Sequence, residues 1–262
     1  MSGVDWNGIL RLPEAALAGG RRIPKTVLAK QAMLTKTEQK RLDKVARLEH
    51  FGTVQKSTTR IPPYEDDERN VQSIVFLRCE MTAGTMAVAE VAELVHKCFP
   101  NPTVLLVEAS SSACVSVALT RKSQAEQGAT VVDSIEATGA FDPGRPGYAP
   151  FLDALDFAKL PQDDLLAYLQ GIAWAVRLSR SITSLGFYPI CADRNREQLG
   201  KLIARSDALA KEISGNRQRR RDRGLSLNES AKLRVDAKRL EAEFDSVMGL
   251  IKSICTLGDT VE

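Results

Sequence analysis

Aromatic residues make up only 5% of this 262-residue chain, and histidine occurs twice, at His50 and His96. So few rings leave little material for a deep aromatic substrate pocket. Neither histidine stands near a cysteine or a carboxylate cluster at ligand spacing, which argues against a zinc site. The five cysteines, Cys79, Cys98, Cys114, Cys191 and Cys255, are odd in number and widely spaced, with no CxxC pair. That pattern excludes a disulfide framework and reads as core thiols in a reducing compartment. No stretch approaches the ~18 consecutive apolar residues of a membrane span, and no apolar segment follows Met1. The expectation is a cytoplasmic protein without membrane contact.

Catalytic motifs are also missing. GAFDPGRPG holds glycines but no GK[ST], so a phosphate-binding loop of that kind is excluded. Ser110, Ser111 and Ser112 lack a GxSxG elbow and read as a hairpin turn. A restriction-type nuclease core needs an acidic residue on one strand and an acid-x-Lys pair on the next, because two carboxylates hold the metal and the lysine steadies the water. Glu108 and Lys122 each end a candidate strand, yet no ExK or DxK falls on one. No catalytic residue, metal or cofactor is expected.

What is present is charge, unevenly placed. The net charge is +3, but residues 1 to 60 hold twelve Lys or Arg against five Asp or Glu, a local +7 that leaves about −4 for the remainder. Hydrophobic residues at 44% and charged residues at 26% are those of a globular chain.

Along the chain, WNGILRLPEAALAGGRRIPKTVL carries Pro13, Gly19, Gly20 and Pro24 and reads as an irregular arm, with Ile23 and Val27 pinning it to the core. A helix of about a dozen residues is expected from Thr35 or Thr37, with Leu42, Val45 and Leu48 on one face. FGTVQKSTTRI, 51 to 61, reads as a strand stopped by Pro62 and Pro63; an acidic turn follows, then a central strand at 71 to 81. A helix over 85 to 98 uses Val88, Val91, Ala92 and Val95, and strands are expected at 103 to 109, 113 to 122 and 130 to 141. FDPGRPGYAP marks a loop or domain edge, and a helix over 162 to 185 turns Leu165, Leu169, Ile172 and Val176 inward. This order predicts an α+β fold: a mixed-sheet domain over 1 to 160 with one or two packed helices, then a helical region over 161 to 262.

That helical region carries two apolar ladders at steps of three and four. Leu199, Leu202, Ser206, Leu209 and Ile213 form one; Leu233, Ala237, Leu240, Phe244, Val247, Ile251 and Ile254 form the other. Each can bury the other's stripe in an antiparallel coiled-coil hairpin, with Ser226 or Asn228 capping the second helix. GNRQRRRDRG, 215 to 224, then becomes the tip: Arg217, Arg219, Arg220, Arg221 and Arg223 against Asp222 give a local +4. Guanidinium forks suit phosphates, so these five arginines are candidate nucleic-acid contacts. Arg21, Arg22 and Lys25 around Pro24 form a second candidate patch, with anchoring of the arm as its alternative.

LRLPEAAL, GRRIPKTVL, TTRIPPYEDDERNVQSIVFLRCEM, VAELVHKCFPNPTVLLV, ALTRK and RRRDRGLSLNESAKL occur in that order. As a set they make the chain resemble the bacterial family catalogued as domain of unknown function 4391 (DUF4391). The resemblance implies a setting beside helicase and DNA methyltransferase genes in anti-phage defence or restriction-like clusters, and it carries over no catalytic residue.

Together these features lead to the expectation of a non-catalytic subunit of such a complex, binding DNA or RNA through the basic tip and docking a helicase or methyltransferase. The alternatives are a structural adaptor or homo-oligomerisation protein whose hairpin pairs with a partner helix, and a divergent nuclease.

Overall fold

The computed structural model describes residues 3–31, 34–82, 88–125, 128–221 and 226–256. They divide into two compact units, Met1–Arg180 and Ser181–Glu262. The division falls twenty residues beyond the 160/161 boundary expected from the order of elements, because the helix starting at Leu165 packs on the sheet.

The first unit begins with α1 (Trp6–Leu10), β1 (Leu17–Arg22), α2 (Lys25–Gln31), α3 (Lys36–Leu42), β2 (Val45–Gln55) and α4 (Lys56–Thr59). A two-stranded ribbon, β3 (Tyr64–Glu65) and β4 (Asn70–Val71), precedes β5 (Ser73–Met81), α5 (Val88–Cys98), β6 (Thr103–Ala109), β7 (Ser112–Lys122) and β8 (Thr130–Ala137). α6 (Ala149–Asp153) and α7 (Leu165–Ser179) complete it. Six strands form one mixed sheet in the order β1-β2-β5-β6-β7-β8. β5 and β6 run parallel and α5 crosses between them; the other neighbours are antiparallel. The fold is mixed α+β.

Alternation along β5 assigns its two faces. Leu77, Cys79 and Met81 join Val88, Val91, Ala92 and Val95 of α5, Leu28 of α2 and Leu42 of α3 in one buried cluster. Ile74 and Phe76 are buried on the opposite face, to which α7 packs with Leu165, Leu169, Ile172 and Val176 all buried. A strand buried on both faces must be apolar throughout, which explains the near-continuous apolar runs of β5 and β6.

Several local expectations need correction. The helix from Thr35 stops at Leu42, and the strand expected from Phe51 instead begins at Val45. Thr35 does cap, in a reciprocal box with Glu38. β2 ends at Gln55 because Thr58 and Thr59 turn their hydroxyls back onto the Gln55 carbonyl, at 3.1 and 3.0 Å, and wind α4. The N-terminal arm is ordered as α1 and edge strand β1, whose register shifts between Leu17 and Arg21 where Gly19 and Gly20 take φ of 65° and 71°. Leu28, rather than the exposed Val27, anchors that region alongside Ile23. At Gly52 a Cβ would sit 2.6 Å from the Ala16 carbonyl oxygen, so only glycine lets the chain before β1 approach β2. The Gly/Pro segment lies inside the unit. Phe141 pairs its backbone with Ala113, stacks on Tyr148 with ring centres 4.7 Å apart, and meets Phe151 edge-on.

The second unit holds α8 (Ile182–Leu185), α9 (Arg196–Arg219) and α10 (Leu227–Thr256). The single helix expected over 162 to 185 is thus two. α9 and α10 pack together, and their seam buries Leu199, Ile203, Ser206, Leu209 and Asn216 against Ala237, Leu240, Val247, Met248, Ile251, Ile254 and Cys255. Leu202, Ile213, Leu233 and Phe244, expected in the seam, are half-buried on its flank. Among the described residues, no helix is long and apolar enough to cross a membrane.

Candidate nucleic-acid interface

The tip is more helical than its glycines suggest. α9 continues through Gly215 to Arg219, so Arg217 and Arg219 occupy its last turn rather than a loop. The winding persists beyond: the Arg220 amide donates to the Asn216 carbonyl at 3.0 Å and the Arg221 amide to that of Gln218 at 3.1 Å. Arg223 and Asp222 lie outside the described residues. Cations at a helix C-terminus are favoured by its partial negative charge.

On the returning helix, Ser226 is the residue that caps. Its Oγ accepts from the Glu229 amide at 3.3 Å and donates to Glu229 Oε2 at 2.7 Å, and its own amide donates to the same oxygen at 2.9 Å. These hydrogen bonds hold the Glu229 carboxyl below its ordinary pKa and keep that charge on its own helix start.

Arg217, Arg219, Arg220 and Arg221 are all exposed. Arg217 Nη2 lies 3.2 Å from Glu241 Oε1, a pair whose side chains are 65% and 47% exposed, so water screens it and its net worth is small. Arg219, Arg220 and Arg221 have no acidic partner among the described residues. The hairpin below them is tied across by Arg205 and Glu243, with Nε 2.9 Å from Oε1. Lys232 and Arg234, also exposed, lie within about 10 Å of the start of α10 along its axis. Sequence reading missed these two because it counted only the contiguous run. The signal was the facing helix's first turns.

The second patch belongs to the other unit. Arg21 and Arg22 are exposed on β1, opposite His50 and Glu49 of β2, and half-buried Lys25 opens α2, its Nζ 3.5 Å from the Asp43 carbonyl. Arg47 lies nearby on β2 and pairs with buried Glu49. Nine of residues 17 to 50 are Lys or Arg against three Asp or Glu, so this segment of the chain is basic. Arg21 and Arg22 stand on an edge strand that is itself part of the scaffold.

Several polar residues of the sheet unit have partners within it. Glu108 accepts from Trp6 Nε1 at 2.7 Å and from Arg78 Nε at 2.7 Å and Nη2 at 3.1 Å. Asp133 meets Arg69 at 2.8 Å and Arg121 at 3.6 Å. Lys122 Nζ donates to Glu65 Oε1 at 3.1 Å and to the Asp66 carbonyl at 2.7 Å. Ser110 takes φ 52° in the turn between β6 and β7, and Ser112 Oγ closes that turn on the Ala109 carbonyl at 3.0 Å. His96 is wholly buried, its Nε2 2.9 Å from Ser116 Oγ, and burial drives its pKa down to about 4. Cys79, Cys98, Cys114 and Cys255 are buried; burial pushes Cys79 up to about 12, which keeps it a thiol. Among the described residues no group of three His, Cys, Asp or Glu is placed to hold a metal ion.

No curated protein and no solved structure matches the chain. The family model described as "Domain of unknown function (DUF4391)" matches residues 10–244, a span that takes in the sheet unit from Leu10 onward, the basic tip and α10 as far as Phe244. The chain therefore belongs to the DUF4391 family.

Proposed function

We propose that this protein is a nucleic-acid-binding subunit that performs no chemistry of its own. The observation that carries the reading is the set Arg219, Arg220 and Arg221: three exposed guanidinium groups without an acidic partner among the described residues, at the end of a hairpin with a buried seam. Three cations held together gain little from one another within the fold. A polyanion neutralises them and releases its counterions, so its affinity falls steeply with salt. Lys232 and Arg234 enlarge the same field, and the Arg21, Arg22 and Lys25 patch offers a second contact on the sheet unit. In the wider setting, the sheet unit docks a helicase or DNA methyltransferase of a prokaryotic anti-phage defence or restriction-like complex. This part of the proposal follows from the resemblance noted in the sequence.

The test is a titration of labelled nucleic acid with the full chain at graded salt. Affinity that falls log-linearly with salt, by roughly one unit of slope per phosphate contact, supports the reading; salt-independent binding, or none, contradicts it.

A second reading, a structural adaptor, has its own support in Val235 and Leu250 of α10, apolar side chains that are 67% and 49% exposed. An oligomer that dissociates when both are changed to serine, formed by a chain that binds no nucleic acid even at low salt, favours it.

A further inference from the structure

We infer that the hairpin tip engages a double helix along the phosphates of both strands, without reading base sequence; the inference rests on the nucleic-acid reading above and names its substrate class.

Arg219, Arg220 and Arg221 are consecutive, and the backbone stays wound through them by the Arg220-to-Asn216 and Arg221-to-Gln218 hydrogen bonds. Successive helical residues diverge by about 100°, so three in a row fan their guanidinium groups over roughly 200° of the tip. A single strand lying along one side meets only part of that fan. A duplex presents phosphates on both walls of a groove, at twice the axial charge density of one strand, and can meet all of it.

Single-strand binders gain affinity by stacking bases on aromatic side chains. From Pro189 to Glu243 the chain contains no Phe, Tyr, Trp or His. Phe244, the first ring after that stretch, is half-buried in a groove with Ala210, Ile213 and Ser214, where Arg217 pairs with Glu241 and Asp245 adds a second carboxylate. Half-buried Phe244 is the one ring that the described residues of the hairpin offer to an unpaired base.

Two helices packed at an ordinary interaxial distance make a tip about 20 Å across, whereas the major groove of B-form DNA is about 12 Å wide. Laid across the groove, a hairpin of that width rests on its rims, where the phosphates are within reach. Contacts confined to phosphate position the protein and carry no base information.

The experiment is a fluorescence-anisotropy titration of the full chain against four labelled probes: two DNA duplexes of unrelated sequence, an RNA duplex, and one of the DNA strands alone. The expected result is roughly tenfold tighter binding to the duplexes than to the single strand, near-equal affinity for the two DNA sequences, and a duplex salt slope of roughly −3 from the three free arginines. The RNA duplex distinguishes B-form from A-form spacing, and tighter binding than the single strand on either form supports the inference. A single strand bound as tightly as the duplexes overturns it while leaving nucleic-acid binding intact. So does a marked preference for one DNA sequence. Failure to bind any of the four defeats the nucleic-acid reading itself.

Discussion

Trp6 and Glu108, 102 residues apart in sequence, are joined by a 2.7 Å hydrogen bond from the indole Nε1 to the carboxylate, which also receives Arg78. Glu108 is therefore a structural hub that fastens the N-terminal helix to the end of a central strand. Removing it leaves the buried indole N–H of Trp6 with no acceptor and half-buried Arg78 with only Glu80, 3.4 Å from its Nη2. Glu108→Ala is expected to destabilise by about 3 kcal/mol, and Glu108→Gln by less, since an acceptor remains. Urea denaturation of the three proteins measures this. If instead Glu108→Ala keeps full stability and removes a magnesium- or manganese-dependent DNA cleavage, the residue is catalytic and the structural assignment is wrong.

His96 supplies a pH prediction. Its folded pKa of about 4 lies below its ordinary 6.5, and the cause is burial. As pH falls below about 6.5 the unfolded chain takes up a proton that the folded chain refuses, so stability declines between 6.5 and 4. The full effect is about 3 kcal/mol for this one group. An imidazole resonance titrating near 4 in the folded protein agrees; one titrating near 6.5 means that the ring beside Ser116 is open to water.

The hairpin register separates two adjacent residues. Ile203 is fully buried in the seam and Leu202 is half-exposed on its flank. Ile203→Ala should cost about 2–4 kcal/mol and lower helicity on heating, while Leu202→Ala should cost less than about 1 kcal/mol. Thermal melts followed by circular dichroism decide the matter, and the reverse order would shift the seam to the register that the heptad spacing alone suggests.

That difference illustrates what the sequence carried. The long 3-4 ladders revealed both helices and their pairing, and the apolar run over 71 to 81 revealed the central strand β5. β2 was legible only in part. Its register with β5 shifts between Val45 and Arg47 and again between His50 and Gly52, so its buried positions lose period two. Leu42, Val45 and Leu48, three apart, then imitate a helical stripe across a helix end and a strand start. Gly215 reads as a boundary because glycine weakens helices by about 1 kcal/mol, yet the seam continues to Asn216 and holds α9 straight through it. The partners of Glu108, Asp133 and Lys122 lie 30 to 104, 12 to 64 and 56 to 57 residues away respectively, beyond any local pattern.

The central claim is that the arginine tip, and not a folding property of the hairpin, binds nucleic acid. Its most direct test is Arg219→Glu, Arg220→Glu and Arg221→Glu combined, which reverses three surface charges and leaves every seam residue unchanged. Equal helicity by circular dichroism is expected, because exposed substitutions usually alter stability by about 0.5 kcal/mol or less each. Binding to the same duplex at graded salt should weaken sharply, and the magnitude of the log-affinity against log-salt slope should drop by roughly three. An unchanged affinity and an unchanged slope in the folded triple variant would contradict the account.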